Sequence, residues 1–138
     1  MPVHSEPQIA LSTREQRDLD IEIGFLEGLA RRDLRDIEVL QVLGDDYTRR
    51  GRYEDGLRMD HQLAALLPAD PLVHYNLACS LSLTGQCDDA IVALNRAVDF
   101  GYDDTEWLLS DRDIEKLWGH PQFAKLLGRM RKLAKARA

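Results

Sequence analysis

Apolar residues recur along most of the chain at the three- and four-residue spacing of amphipathic helices, in stretches separated by glycine, proline and aspartate. The stretches themselves repeat, because shifting the sequence by 34 residues brings apolar positions and turn residues into register without a gap. Each repeat holds two helical stretches joined by a glycine, which predicts a helical hairpin. The aligned pairs include Leu43 with Leu77, Tyr47 with Leu81, Gly51 with Gly85, Leu57 with Ile91, and Leu63 with Ala97.

Turn residues and small residues favour two such hairpins, over residues 37–70 and 71–104. Gly51 and Gly85 lie where the first helix of each hairpin must end, and glycine adopts the left-handed conformation that closes a helix. Asp70 then provides an N-cap for the next helix, with proline following at the first helical position. Small residues let the two helices of a hairpin approach closely. They are Gly44 and Gly56 in the first hairpin, and Ala78 and Ala90 in the second.

The segment before the first hairpin is predicted to contain a helix that covers it. Residues 13–36 have an apolar stripe at helical spacing, and this stripe is expected to face the core. Residues 1–12 lack such a pattern and are predicted to form a flexible N-terminus. The residues of the stripe are Ile21, Phe25, Leu26 and Leu29.

The segment after the second hairpin is predicted to form capping helices over residues 105–138. Ser110 and Asp113 are interpreted as a variant of the capping box that starts a helix. Pro121 suits the first turn of the last helix, where its missing N–H is harmless. The whole pattern predicts an all-α fold.

The charge of the chain restricts the classes of partner that it can bind. The 138-residue chain carries 24 acidic and 18 basic residues, a net charge of −6, which opposes adsorption to nucleic acid or anionic lipid. Five basic residues with no acid lie between positions 129 and 137, so the rest of the chain carries −11. This basic end suits a helix C-terminus and is interpreted as a solvated helix end. We therefore expect neither a nucleic-acid nor a membrane partner.

The same composition bears on the compartment. The N-terminus lacks the apolar run of a secretory signal, and no uncharged stretch approaches the roughly 18 to 20 residues that span a bilayer. Cys79 and Cys87 are eight residues apart, a spacing that fits neither a zinc pair nor a redox motif. We predict reduced core thiols in a cytoplasmic protein.

Candidate chemistry is sparse. The histidines at positions 4, 61, 74 and 120 form no recognised catalytic or zinc-binding motif with the cysteines, and no phosphate-binding glycine loop is present. Asp88 and Asp89 could suggest a metal site, but acidic residues in a first helical turn are commonly explained by the helix dipole. We expect no catalytic residue, metal or cofactor. An enzyme or regulator that acts on a small molecule stays open as an alternative.

The repeat resembles the tetratricopeptide pattern, a 34-residue unit with the motif W-x2-L-G-x2-Y, then A-x3-F, then proline. Leu40 is at the tryptophan position of the first unit. Three positions depart from this pattern: Asp60 replaces the aromatic residue, Gly56 replaces the alanine, and Tyr102 replaces the closing proline of the second unit. The C-terminal segment resembles the last unit of such arrays. The matching residues are Leu40, Leu43-Gly44, Tyr47, Leu63 and Pro68 in the first unit, and His74, Leu77-Ala78, Leu81, Ala90, Leu94 and Ala97 in the second.

The resemblance implies a right-handed α-α superhelix of about two full repeats with a capping helix at each end. In this family the first helix of every unit lines a concave face that holds a peptide or helix of another protein. A homo-oligomer stays open, as does a chaperone of the bacterial type III secretion class holding an apolar export substrate. The implied contact residues are Glu38, Gln41, Asp45, Thr48 and Arg49 in the first unit, and Leu72, Tyr75, Asn76, Cys79, Ser82 and Leu83 in the second.

Overall fold

Helices account for all regular structure in residues 10–137, the range described by the computed structural model. The all-α prediction is therefore confirmed for this range. The predicted flexible N-terminus lies outside it for residues 1–9, and Ser12 already caps the first helix. The elements are α1 (Thr13–Arg32), α2 (Ile37–Arg49), α3 (Tyr53–Leu66), α4 (Pro71–Leu83), α5 (Cys87–Asp99), α6 (Thr105–Ser110), the 3-10 helix η1 (Arg112–Leu117) and α7 (Phe123–Arg137).

Three helices begin with the same capping residue. Asp36, Asp70 and Asp104 are N-caps of α2, α4 and α6, and they are spaced 34 residues apart. Each carboxylate accepts a hydrogen bond from the backbone N–H three residues later, at 3.2, 3.3 and 3.0 Å. These bonds satisfy N–H groups that a helix leaves unpaired in its first turn. The sequence period is thus also a period of local structure.

Two glycine turns close α2 and α4, as the sequence predicts. Gly51 and Gly85 have φ of 82° and 80°, in the left-handed region. The following N–H in each turn reaches back to a carbonyl in the last helical turn, from Arg52 to Tyr47 and from Gln86 to Leu81, both at 2.8 Å. This hydrogen-bonding pattern is the Schellman closure, which glycine permits without steric cost. The turns fix the antiparallel direction of each hairpin.

The helices pack around two adjoining apolar clusters. α2 packs on α3, α4 packs on both α3 and α5, and α1 lies against α2. The first cluster joins α1, α2 and α3 and contains Leu40, Leu43 and Tyr47. The second joins α4 and α5 to the C-terminal elements and contains Tyr75 and Leu94. From α1 to α5 each helix therefore contacts its neighbours in sequence, whereas η1 packs on α4 and α5, and α7 packs on α5.

Close contact between α2 and α3 depends on two glycines. A Cβ at Gly44 would lie 3.3 Å from the Cβ of Met59, and a Cβ at Gly56 would lie 2.8 Å from the hydroxyl of Thr48. That hydroxyl is buried and donates to the carbonyl of Gly44 at 3.1 Å, so it is held in place. Small residues therefore bring the helices of this hairpin together, as the sequence predicts.

Gly56→Ala is accordingly expected to lower the free energy of unfolding by about 1–2 kcal/mol, because overpacking outweighs the better helix propensity of alanine. The matched control is Gly128→Ala in α7, where nothing lies within 4 Å of the added Cβ. There we expect a gain of about 0.5–1 kcal/mol. Urea denaturation of both variants tests the pair, and a stabilised Gly56→Ala protein would contradict the tight contact.

The predicted stripe of α1 is only half correct. Leu26 and Leu29 face the core, whereas Ile21 and Phe25 are each 66% exposed. The buried positions of α1 are Leu19, Ile23 and Leu26, of which only Leu26 belongs to the predicted stripe. The helix has apolar residues on two sides, and contact with α2 selects the side that is buried.

The C-terminal elements differ from the prediction at the beginnings of two helices, η1 and α7. Asp111, not Ser110, is the N-cap of η1, and its carboxylate accepts from the N–H of Asp113. The Ser110 hydroxyl donates to the carbonyl of Trp107 instead. Pro121 lies in the turn before α7, which begins at Phe123. The predicted capping box and the predicted helix start are therefore wrong.

Candidate partner-binding surface

Four of the eleven residues implied by the resemblance are buried. Tyr75, Cys79 and Ser82 of α4 have no exposed surface, and Thr48 of α2 is 3% exposed. A partner cannot contact these side chains in this conformation. The other implied residues reach the surface fully or in part: Glu38, Gln41, Arg49 and Leu72 are exposed, while Asp45, Asn76 and Leu83 are half-buried.

The chain itself covers Tyr75 and Cys79. The Tyr75 hydroxyl donates to Oδ2 of Asp111 at 2.6 Å, and the Cys79 thiol contacts the same oxygen at 3.7 Å. The Tyr75 ring stacks on Tyr102, with 4.5 Å between centroids and 15° between planes. Burial raises the pKa of both the Tyr75 phenol and the Cys79 thiol, so both stay protonated. This polar cluster joins α4 to η1.

Sequence reasoning did not identify Asp111, which is 1% exposed and central to that cluster. Its position corresponds to Leu43 and Leu77 in the 34-residue register, where apolar residues lie in the core. An acid in a core position of the repeat was the available signal. A carboxylate there requires hydrogen-bond donors, which Tyr75 and the N–H of Asp113 supply.

A second buried acid, Asp46, lies at the contact between α1 and α2. It is 4% exposed. Burial, with a smaller contribution from the facing carboxylate of Glu22, raises the pKa of Asp46 to about 7.

One repeat later, the position that corresponds to Asp46 is Ser80, which is also buried. Its hydroxyl donates to Asp60 at 2.5 Å. Asp60, at the aromatic position of the family pattern, therefore has a polar partner.

The exposed side of α2 is mixed in character. Glu38, Gln41, Asp45 and Arg49 follow one another at helical spacing, and none of the four is fully buried. Val42 lies on the same side and is 43% exposed, although the resemblance did not single it out. The result is a surface with an acid near its start, a basic residue at its end and an apolar side chain between them.

Leu72, the second residue of α4, is 42% exposed. α4 packs on α3, which in turn packs on α2. Asn76 lies one turn later, and its Oδ1 is buried with no hydrogen-bond partner in residues 10–137. The accessible apolar residues near the implied site are therefore Val42 and Leu72, and Tyr75 serves the core instead.

A groove bordered by α3, α4 and α5 is a separate feature. It has a volume of about 540 Å³ and is lined by His61, Pro68, His74, Arg96 and Phe100 among others. His74 is buried, as predicted for a large side chain of the repeat, and its Nε2 lies 2.7 Å from the carbonyl of Pro68. Its ring stacks on Phe100 at 5.3 Å. This histidine is thus engaged in packing between consecutive helices.

The other candidate groups are dispersed. Among the described residues, no three or more histidines, cysteines and acids come together in a way that could hold a metal ion. His120 contacts Asp88 at 2.7 Å, which links the turn before α7 to α5. Cys79 and Cys87 are free thiols, the first buried and the second half-buried. His4 lies outside the described residues.

The basic C-terminal end is partly paired with the second hairpin. Arg129 contacts Asn95 and Asp99, and Arg137 contacts Asp103 at 3.3 Å. α7 packs on α5 through the second apolar cluster. Two of the five basic side chains at the C-terminal end therefore have acidic partners in the chain itself.

None of the helices in residues 10–137 is long and apolar enough to cross a membrane.

No protein-family model matches the chain. The chain is 30% identical over 87 residues to a curated chloroplastic protein of Arabidopsis thaliana. The match covers 61% of this chain and 26% of that protein, so the chain spans about a quarter of the length of this relative.

Proposed function

We propose that this chain is a tetratricopeptide-type module that binds a segment of another protein and has no catalytic activity. The 34-residue recurrence of the aspartate N-caps and of the glycine turns supports the family, because both follow the repeat of the sequence pattern. In this proposal α2–α3 and α4–α5 are two units of a right-handed superhelix, and α1 and the C-terminal elements cap its ends.

The exposed side of α2 together with the start of α4 supports the binding function. Val42 and Leu72 present apolar surface, and Glu38 and Arg49 place opposite charges at the two ends of α2. Isolated exposed apolar residues are common, but Leu72 is at a position that this family uses for contact, and Val42 lies next to Gln41, which is at another. We call this set of four residues the α2–α4 surface.

The chemistry of the α2–α4 surface predicts the character of the partner. A small apolar anchor packed on Val42 and Leu72 would supply most of the binding energy. A basic group near Glu38 and an acidic group near Arg49 would set orientation and association rate. The partner segment is thus a peptide or helix with a central apolar residue between a basic and an acidic end.

Leu72→Asp and Glu38→Lys are expected to weaken such binding without unfolding the protein, because both side chains are exposed. The probe is a random peptide-display library selected on the full chain, followed by calorimetry of the enriched peptides. We expect Leu72→Asp to weaken their binding by at least about tenfold, as for loss of a central anchor, and Glu38→Lys to weaken it less.

The matched control is Val92→Asp, which places the same charge on an exposed position of α5. It should leave peptide affinity unchanged. Enriched peptides that bind Leu72→Asp and Glu38→Lys as tightly as the unaltered chain would contradict the α2–α4 surface. A library that yields no peptide above background would contradict peptide binding itself.

A further inference from the structure

The groove bordered by α3, α4 and α5 is a feature that the proposed function does not use. Its volume of about 540 Å³ lies within the range of about 300–1,000 Å³ that is common for small-molecule sites. Its apolar lining includes Pro68, Leu77 and Phe100, and the Phe100 side chain is 44% exposed. The groove shares no residue with the α2–α4 surface. A ligand in the groove would therefore not compete for the same side chains as the partner segment.

A smaller groove lies at the equivalent place one repeat earlier, bordered by α1, α2 and α3. Its volume is about 200 Å³. Most of its lining residues lie 34 positions before residues that line the larger groove, so the repeat itself produces a groove here. What distinguishes the larger groove is the residues at the shared positions. They include Leu40 and Gln62 in the smaller groove, where the larger has His74 and Arg96.

His74 holds two parts of the larger groove in place. Its Nε2–H donates to the carbonyl of Pro68 at 2.7 Å, and its ring stacks on Phe100 with 5.3 Å between centroids. The equivalent positions one repeat earlier and later are Leu40 and Leu108, both buried, so packing alone does not require histidine. Histidine also leaves its Nδ1 buried without a partner in residues 10–137, a cost that leucine avoids. The ring therefore fixes the walls of the groove at some expense to stability.

Two further nitrogen-bearing side chains line the groove and are available to a ligand. His61 of α3 and Arg96 of α5 are exposed, and neither side chain forms a hydrogen bond or ion pair with another described residue. The acid that lines the groove, Asp99, contacts Arg129. The groove thus offers one uncompensated positive charge, together with an imidazole, beside an apolar lining.

We propose that this groove binds a small organic carboxylate with an apolar body. The planar guanidinium of Arg96 pairs with the carboxylate, and the ring N–H of His61 donates to it. The apolar body packs on Pro68 and Phe100, which His74 holds in position, so little ordering is needed when the ligand binds. An anion without an apolar body would leave most of this lining unused.

Calorimetric titration of the full chain with phenylacetate tests the groove. We expect a dissociation constant of about 1 mM or lower, the affinity reached by small ligands of this size. Arg96→Gln, which introduces the residue found at position 62 one repeat earlier, should raise the constant at least about tenfold through loss of the charged hydrogen bonds. Arg96 is exposed, so this variant should fold normally.

The matched control is Arg14→Gln, the same change at an exposed residue of α1, which lines no part of this groove. It should leave the affinity unaltered. Phenethylamine, which has a similar body and the opposite charge, should not bind. A chain that binds no phenylacetate, an equal effect of the two arginine variants, or inorganic phosphate bound as tightly as phenylacetate would each overturn the proposal.

The positioning role of His74 has its own test. His74→Leu introduces the residue of the equivalent positions 40 and 108, and we expect it to raise the phenylacetate dissociation constant by at least about threefold without lowering the stability to urea. An unchanged affinity in a folded variant would contradict this role.

Nuclear magnetic resonance of the histidine rings locates the ligand. Phenylacetate should shift the ring signals of His61 and His74, which line the groove, and leave those of His120 in place, because His120 contacts Asp88 elsewhere. Shifts of equal size at His120, or none at His61 and His74, would place the ligand outside the groove and overturn the proposal.

Discussion

Asp111→Ala is expected to lower the free energy of unfolding by about 3 kcal/mol, because it leaves the buried Tyr75 hydroxyl and the N–H of Asp113 without their acceptor. The carboxylate is 1% exposed and also caps η1. The loss should fall mainly on the contact between α4 and η1. Urea denaturation followed by circular dichroism measures the size of the effect.

Thiol reactivity locates the effect of Asp111→Ala. Cys79 is fully buried beneath the same contact and should react slowly with a thiol reagent in the unaltered chain. In the variant, opening of the C-terminal elements should expose it and raise its rate at least about tenfold, in line with the lost stability. Cys87 is already half-buried and provides an internal reference.

Asp104→Ala is the matched control for this prediction. Asp104 is also an N-cap, of α6, and its carboxylate accepts the N–H of Trp107 at 3.0 Å. Loss of the Asp104 carboxylate should lower the free energy of unfolding by about 1 kcal/mol, the usual effect of removing an N-cap side chain. Equal losses in the two variants would contradict a structural role of Asp111 beyond capping.

Asp46→Asn is expected to change how stability depends on pH. The pKa of Asp46 is about 7 in the folded protein, above the usual value of 3.8, so folding favours the protonated carboxyl. The stability that this raised pKa contributes is fully present below the pKa of Asp46 in the unfolded chain, and it is lost as the pH rises through about 7. The difference between the two pKa values sets an upper bound of about 4 kcal/mol on the stability that is lost. We expect a loss of about 2 kcal/mol, because the site can relax and admit water.

Urea denaturation at pH 5.5 and pH 8 tests this expectation. The unaltered chain should lose stability between the two values, and Asp46→Asn should lose less and be the more stable protein at pH 8. The difference between the two proteins cancels the titrating groups that do not interact with Asp46. Glu22→Gln, which removes the facing carboxylate, should give an intermediate dependence. The same pH dependence in Asp46→Asn and the unaltered chain would contradict a buried, protonated Asp46.

Local features of the fold could be predicted from the sequence because each depends on a few consecutive residues. Gly51 and Gly85 end helices by their own conformational freedom, and Asp70 caps α4 through a bond to the N–H of Val73. The close approach at Gly44 and Gly56 follows from the absence of a side chain. These are properties of residue type and spacing alone.

The candidate site could be predicted only in part. The resemblance to the tetratricopeptide pattern implied Glu38, Gln41 and Arg49, and these three residues lie on an exposed side of α2. It could not show that Tyr75 is covered, because the covering residue, Asp111, lies 36 positions later in the chain. Burial of a side chain by a distant segment has no local signal in the sequence.

By itself the sequence determined the helical class, the 34-residue period and the turns, since these follow from short-range sterics and hydrogen bonding. Only the tertiary structure decided which face of α1 is buried, because Leu19 and Ile23 compete with Ile21 and Phe25, and contact with α2 makes the choice. It also decided that Asp46 and Asp111 are core residues. Their burial depends on packing between separate elements, which the order of residues along one helix does not specify.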